Sequence, residues 1–350
     1  MHSPFAAPPS AASPGPPLLS IEDVVVRFDI PHTVVDRLAG RPRRAVHALN
    51  AVRLDVVRGE TLGIVGESGC GKSTLARTIA RLIEPQHGQV RFEGTDISHL
   101  HGKALRAYNR RVQMIFQDPY GSLNPRMTVR QMLSEALAVH RMRPSPEIAG
   151  RVAELLGLVQ LPADAVDRYP HEFSGGQRQR IGIARALAVE PDVIVADELV
   201  SALDVSVQAQ VVNLLRELQE RLRLTIVFVA HDLRLVRHIS HRVAVMYLGA
   251  VVELGRTENI FTSPQHPYTR TLLDAAPDLD PGRRRRTAAA RGELPSPFDI
   301  PTGCPFHTRC PLAFARCATE RPALQQRTEN HQAACHLDAD HQWSGFANRS

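Results

Sequence analysis

Lysine is almost missing from this chain. Of 42 lysine and arginine residues, only Lys72 and Lys103 are lysine. Long apolar runs are missing as well. The longest, near Leu224 to Ala230, has the length of a strand, whereas a helix that crosses a bilayer needs about 20 apolar residues. Met1 to Leu19 is rich in Ala, Pro and Ser and carries no basic n-region. It reads as a disordered tail, not as a signal peptide. The expectation is a cytosolic chain that touches a membrane only through partners. No internal repeat of solenoid period is present. A net charge of +6 and the run Arg283-Arg284-Arg285-Arg286 raise the question of nucleic acid. That run follows a Pro/Asp/Gly stretch and precedes Thr-Ala-Ala-Ala, so it reads as a solvated linker with no direct nucleic-acid role. With 350 residues and 43% apolar content, the chain has material for roughly two ordinary domains.

One of the two lysines sits in Gly66-Glu67-Ser68-Gly69-Cys70-Gly71-Lys72-Ser73-Thr74. This fits the phosphate-loop pattern G-x-x-x-x-G-K-[ST]. Leu62 to Val65 before it reads as a buried strand, and Thr74 to Leu82 after it as a helix. Glycines let the backbone wrap tightly and aim N–H groups at phosphate oxygens. The helix N-terminus adds partial positive charge at the same place. Lys72 would reach the terminal phosphates and Ser73 would ligate Mg²⁺. A compact charge on a flexible stem is what lysine supplies and arginine does not.

Four further segments carry chemistry. Val193-Ile194-Val195-Ala196-Asp197-Glu198 is an apolar strand that ends in two carboxylates. Asp197 suits a Mg²⁺ contact opposite Ser73, and Glu198 could polarise a water. Ser174-Gly175-Gly176-Gln177 opens a second helix and offers a second anion site, while Ser174 also suits an N-cap. Gln117 is an amide at the end of the apolar stretch 112–116. His231-Asp232 follows the β-rich run Thr225 to Ala230.

In their order, these segments together with Ser201-Ala202-Leu203-Asp204 resemble the nucleotide-binding subunit of ATP-binding-cassette transporters. The resemblance covers roughly residues 20 to 335. It implies an α/β fold: a P-loop NTPase, RecA-like core with an antiparallel β-subdomain and a helical signature subdomain. It implies ATP and Mg²⁺ as cofactors, with Mg²⁺ held through Ser73, Gln117 and Asp197. Glu198 matches the catalytic base and His231 the histidine at the γ-phosphate. Gln117 matches the glutamine that couples to the membrane subunit, and Asp204 the loop that meets the partner ATPase. Phe28 looks like the aromatic that stacks on adenine, although an Arg- and Pro-containing insertion, Pro31 to Val46, follows it. One departure stands out. Relatives usually carry proline after the catalytic glutamate, whereas Leu199 stands here, so the turn lacks that rigidity. The resemblance further implies that Lys72 of one subunit and Ser174 of another sandwich ATP, so a second ATPase, paralogue or self, is required.

Four of the five cysteines crowd the C-terminal part: Cys304, Cys310, Cys317 and Cys335; the fifth, Cys70, lies in the phosphate loop. In a reducing compartment such a cluster reads as metal-binding. The spacing Cys-x5-Cys-x6-Cys-x17-Cys is wider than the usual zinc pairs and suits a [4Fe–4S] cluster at least as well. His307 and His336 keep zinc open. His266-Pro267-Tyr268-Thr269, Gly292 to Pro297 and Gly303 to Pro311 resemble the C-terminal extension of oligopeptide/dipeptide-type importer ATPases. This implies two integral membrane permeases, an external solute-binding protein and a peripheral place on the cytoplasmic face of the inner membrane. The expected divisions are a tail 1–19, an ATPase domain 20–270 with its helical part at 118–180, a linker 271–293, a cysteine-rich extension 294–337 and a tail 338–350. Two alternatives are a non-transport ATPase of the same type and an ATP-binding regulatory subunit with weak turnover. Intact Glu198 and Ser174 and the lack of a coiled-coil insert between Lys72 and Ser174 speak against both.

Overall fold

The computed structural model describes residues 16–31, 44–117, 119–275 and 295–337. Residues 1–15 of the expected N-terminal tail, the expected C-terminal tail, most of the insertion after Pro31, most of the linker and its four arginines lie outside the described residues. Along the chain run β1 (Leu19–Asp29), β2 (Ala45–Val56), β3 (Thr61–Val65), β4 (His87–Phe92), β5 (Thr95–Asp96), β6 (Val112–Ile115), β7 (Val193–Asp197) and β8 (Thr225–Val229). Then come β9 (Arg242–Tyr247), β10 (Ala250–Arg256), β11 (Gln325–Thr328) and β12 (His331–Ala333).

The strands form two sheets. The smaller is antiparallel, in the order β2-β1-β4-β5. Its alternating apolar residues, Val24 and Val26 against Val52, Leu54 and Val56, are buried, as a sheet with one covered face requires. The larger has eight strands in the order β11-β12-β10-β9-β3-β8-β7-β6. The five from β9 to β6 are parallel. Strands β3, β7 and β8 are buried at every position. Unbroken Val/Ile/Leu runs such as theirs are what a parallel sheet covered on both faces demands.

Between β6 and β7 lies a helical block. Its main helices are Val129–Val139, Ile148–Leu158 and Gly175–Leu187. Thr128 caps the first through a reciprocal capping box with Gln131, which satisfies two orphan donors at that end. The expected linker is shorter than its sequence boundary, because the helix Pro267–Ala275 runs past residue 271. The expected N-terminal tail also ends early, since Leu18 and Leu19 are buried and β1 starts at Leu19.

The C-terminal residues do not stand apart from the main sheet. Strand β12 pairs antiparallel with β10, and β11 with β12, so the extension widens the main sheet. One buried carboxylate fastens this seam. Glu253 is fully buried on β10. It accepts from the backbone N–H of Gln265 at 2.6 Å and of His266 at 2.9 Å. His331 Nε2 on β12 lies 2.7 Å from the same carboxylate. Glu253→Ala removes the acceptor for three buried groups, each worth about 1–3 kcal/mol when stranded. A loss of at least about 3 kcal/mol in unfolding free energy is expected, read as a lower urea midpoint.

Candidate functional site

The phosphate loop leaves β3 at Val65 and enters the helix Lys72–Ile79. Two of its glycines, Gly66 and Gly71, are required by contact and not only by φ. A Cβ at Gly66 would lie 2.3 Å from the carbonyl oxygen of Met246, and one at Gly71 would lie 2.4 Å from that of Ala48. Gly71 caps the helix at φ 102°, a backbone region that favours glycine. Lys72 is buried, and its Nζ donates to the carbonyl oxygens of Gly66 at 2.9 Å and Glu67 at 3.1 Å. Cys70 is buried inside the loop.

Parallel pairing brings the other chain ends to the same edge. Asp197 ends β7 opposite Val229 of β8, and Val229 pairs with no strand residue beyond Ile64 of β3 in that row. Ser73 Oγ donates to Asp197 Oδ1 at 2.9 Å. Burial pushes the Asp197 carboxyl above its ordinary range, opposed by the Ser73 hydrogen bond. A hydroxyl and a buried carboxylate that gains from a nearby cation form a hard-oxygen pair, which fits Mg²⁺.

Glu198 follows in the left-handed region, at φ 48°. Its N–H donates to Val229 O, and its own carbonyl accepts from the N–H and Oγ of Ser201. Gln117 Nε2 reaches Ser201 Oγ at 3.3 Å, so the amide and the turn are joined. Leu199 answers the missing proline. It is 2% exposed and packs in the main core, so burial fixes the turn where ring rigidity does not. Gln208 was not singled out from the sequence, yet its Nε2 donates to the carbonyls of Val200 and Leu203 and braces the same turn. Glu198, Ser201, Gln208 and His231 line one cleft. His231 itself is exposed at the end of β8.

Ser174 is exposed and caps its own helix through a capping box with Gln177. Gly175 and Gly176 serve packing. A Cβ on Gly175 would come within 2.9 Å of Leu203, and one on Gly176 within 2.4 Å of Val207. Ser174 and exposed Asp204 are thereby carried by adjoining segments. Phe28 is 42% exposed near the end of β1, opposite Val46.

The four C-terminal cysteines line one apolar cavity with Phe306 and His266. All are free thiols. Burial pushes Cys304 up to about 11 and Cys310 up to about 12. Among the described residues no group of three His, Cys, Asp or Glu side chains is close enough to hold a single metal ion. The four-thiol convergence is therefore looser than a zinc site, where a Zn–S length of about 2.3 Å sets tight spacing. Sequence reasoning gave Arg309 no role. In the fold it bonds Glu67 of the phosphate loop, and its only sequence signal is its position beside Cys310.

Comparison with known proteins agrees with this geometry. Residues 49–201 match the ABC transporter family. The oligopeptide transport ATP-binding protein AppF of Bacillus subtilis is 49% identical over 323 residues, which is 91% of this chain and 97% of that one. This chain belongs to the ABC transporter family. As an ABC ATPase it binds ATP with Mg²⁺ and hydrolyses ATP. Residues 252–317 match the family described as the C-terminal region of oligopeptide/dipeptide transporters. A dimeric, post-hydrolysis structure of the ATP-binding cassette MJ0796 with ADP and Pi superposes at a TM-score of 0.59 and 28% identity, over 68% of this chain and 98% of that one. The cbiO1 structure from Clostridium perfringens gives a TM-score of 0.60 at 27% identity, over 71% of this chain and 91% of that one. Among the described residues no helix is long and apolar enough to cross a membrane.

The clash at Gly71 has a direct consequence for this ATPase. Gly71→Ala should unfold at a clearly lower temperature than Gly69→Ala in nucleotide-free protein. Both positions have positive φ, but a Cβ at Gly69 meets nothing within 4 Å. Equal thermal midpoints for the two variants would contradict the contact.

Proposed function

We propose that this chain is the ATP-hydrolysing subunit of an ABC importer for peptides, working beside two membrane permeases, a partner ATPase and an external binding protein. The observation that carries the proposal is the strand-edge arrangement of Lys72, Ser73, Asp197 and Glu198, joined in one chain to an oligopeptide/dipeptide-type C-terminal region.

The residues act as follows. Residues 66–74 wrap the ATP phosphates with backbone N–H groups, and Lys72 supplies the cation. Ser73, Asp197 and Gln117 would hold Mg²⁺, which would supply positive charge to neutralise the phosphates. Glu198 takes a proton from the attacking water as its oxygen bonds to the γ-phosphorus and the bond to the leaving ADP breaks. His231 stands across the cleft as a donor to the γ-phosphate. Phe28 stacks on the adenine. Ser174 and Asp204 are exposed, and with the helix start Ser174 to Gln177 they serve the ATP of the partner subunit. Binding of ATP then favours the closed dimer, and hydrolysis removes that preference.

Glu198→Gln tests this reading. It keeps hydrogen-bonding shape but cannot take the proton. ATP binding should persist while turnover falls by at least the ~10²–10⁴ expected for a general base. The variant should accumulate as an ATP-bound dimer in size-exclusion chromatography. Full turnover in Glu198→Gln, assayed in the complete transporter, removes Glu198 from its role.

A second part of the proposal concerns the cysteine cavity. Cys304, Cys310, Cys317 and Cys335 hold a [4Fe–4S] cluster, as four thiolates around one apolar cavity would allow. What supports a cluster is the convergence of four cysteines on one apolar cavity. Anaerobically purified protein should contain about four irons and four acid-labile sulfides per chain. One zinc with no iron would reverse the assignment.

A further inference from the structure

Glu67 is a carboxylate inside the loop that receives the most anionic part of ATP. Left alone it would oppose the phosphates, because like charges repel at short range. Its partner comes from 242 residues further on: Arg309 Nη1 donates to Glu67 Oε2 at 2.8 Å and Nη2 to Oε1 at 3.0 Å. The two parallel bonds form the fork that fixes a carboxylate in both position and direction. The Arg309 side chain is 9% exposed. Its guanidinium lies 5.9 Å from the centre of the Tyr247 ring and 6.0 Å from that of Phe306.

The loop backbone is held from the same side. Tyr268 Oη accepts from the Glu67 N–H at 2.8 Å. Tyr268 packs in tilted geometry against Tyr247 at 4.6 Å and against Phe306 at 5.3 Å between ring centres. Tyr247 ends β9, the neighbour of β3. Phe306 and Cys310 flank Arg309 and line the cysteine cavity. Glu67 is therefore gripped by its side chain and its N–H, while its carbonyl holds Lys72 Nζ. A shift of Glu67 moves the lysine's anchor with it.

We propose that Arg309 and Tyr268 are positioning residues for the phosphate loop, and that through Glu67 the C-terminal extension sets the affinity for nucleotide. The proposal rests on residues 66–74 being the ATP loop. Arg309 does two things there. It cancels the Glu67 charge that ATP would otherwise meet, and its fork ties Glu67 to the C-terminal extension. Tyr268 accepts from the Glu67 N–H and so ties the loop backbone at that residue.

The test is a charge cycle on the full-length chain, titrated with methylanthraniloyl-ATP and Mg²⁺ at physiological salt. Arg309→Gln should weaken binding about tenfold, which corresponds to about 1.4 kcal/mol. Arg309→Gln with Glu67→Gln should return to within about threefold of wild type, because the unpaired carboxylate is gone. A purely structural staple predicts the opposite, with the double variant at least as weak as the single. Tyr268→Phe should lose a fewfold in affinity. In the complete transporter, Arg309→Gln should raise the KM for ATP more than it lowers kcat. If Arg309→Gln does not fold, Arg309→Met, which removes the charge but keeps an apolar stem beside Tyr247 and Phe306, carries the same cycle. Unchanged affinity in Arg309→Gln, or no recovery in the double variant, overturns the proposal. Wild-type protein that fails to bind the nucleotide, or Lys72→Ala that binds as well as wild type, would instead overturn the ATP-loop reading beneath it.

Discussion

The parallel pairing of β7, β8 and β3 is the constraint on which the chemistry depends. In a parallel sheet every strand ends at the same edge, and the chain must leave that edge by a loop. Here the three neighbouring exits are the phosphate loop after Val65, the turn after Asp197 and the segment after Val229. Register alone brings Ser73 to Asp197, although 124 residues separate them. Catalytic side chains then need only short reaches. The buried, unbroken apolar strands are the cost of that arrangement, since both faces must be covered before the edge can be rigid.

The edge is also held from a direction that the cassette core does not supply. The extension joins the main sheet through β12, and Glu253 binds three donors at the joint. A carboxylate this deep is tolerated because every neighbour is a donor. Removing one side of such a set leaves charge or N–H groups unpaired, which costs more than the set contributes when complete. Arg309 and Glu67 repeat the design at the phosphate loop. The extension is thereby continuous with the nucleotide site on one side and with the cysteine cavity on the other.

The turn at Glu198 shows how one rigid device replaces another. Leu199 stands where the family resemblance implies proline. Proline would restrict φ directly. Leucine instead fixes the turn by being buried, while Ser201 and Gln208 bond its carbonyls. A positive φ at Glu198 is a strained position for a non-glycine residue, and these contacts supply the compensation. Ser174 shows a similar economy: its exposed side chain caps its own helix through Gln177, so it is held in one orientation.

Much of this was legible in the sequence for a physical reason. Phosphate binding by backbone needs glycines, a lysine and a helix start within nine contiguous residues, so Gly66 to Thr74 announce themselves locally. Buried parallel strands need unbroken apolar runs, so β3, β7 and β8 do the same, and the carboxylates of Asp197 and Glu198 stand out at a strand end. The Ser174 capping box is equally local. What remained hidden depends on contacts between residues far apart in the chain. Nothing around Arg309 indicates that it meets Glu67, and nothing around Glu253 indicates His331. The linker between core and extension suggested independence, whereas strand pairing made them one sheet. Local conformation follows from neighbours along the chain; which charges meet in the interior is decided only when the sheet closes and burial makes each of them find a partner.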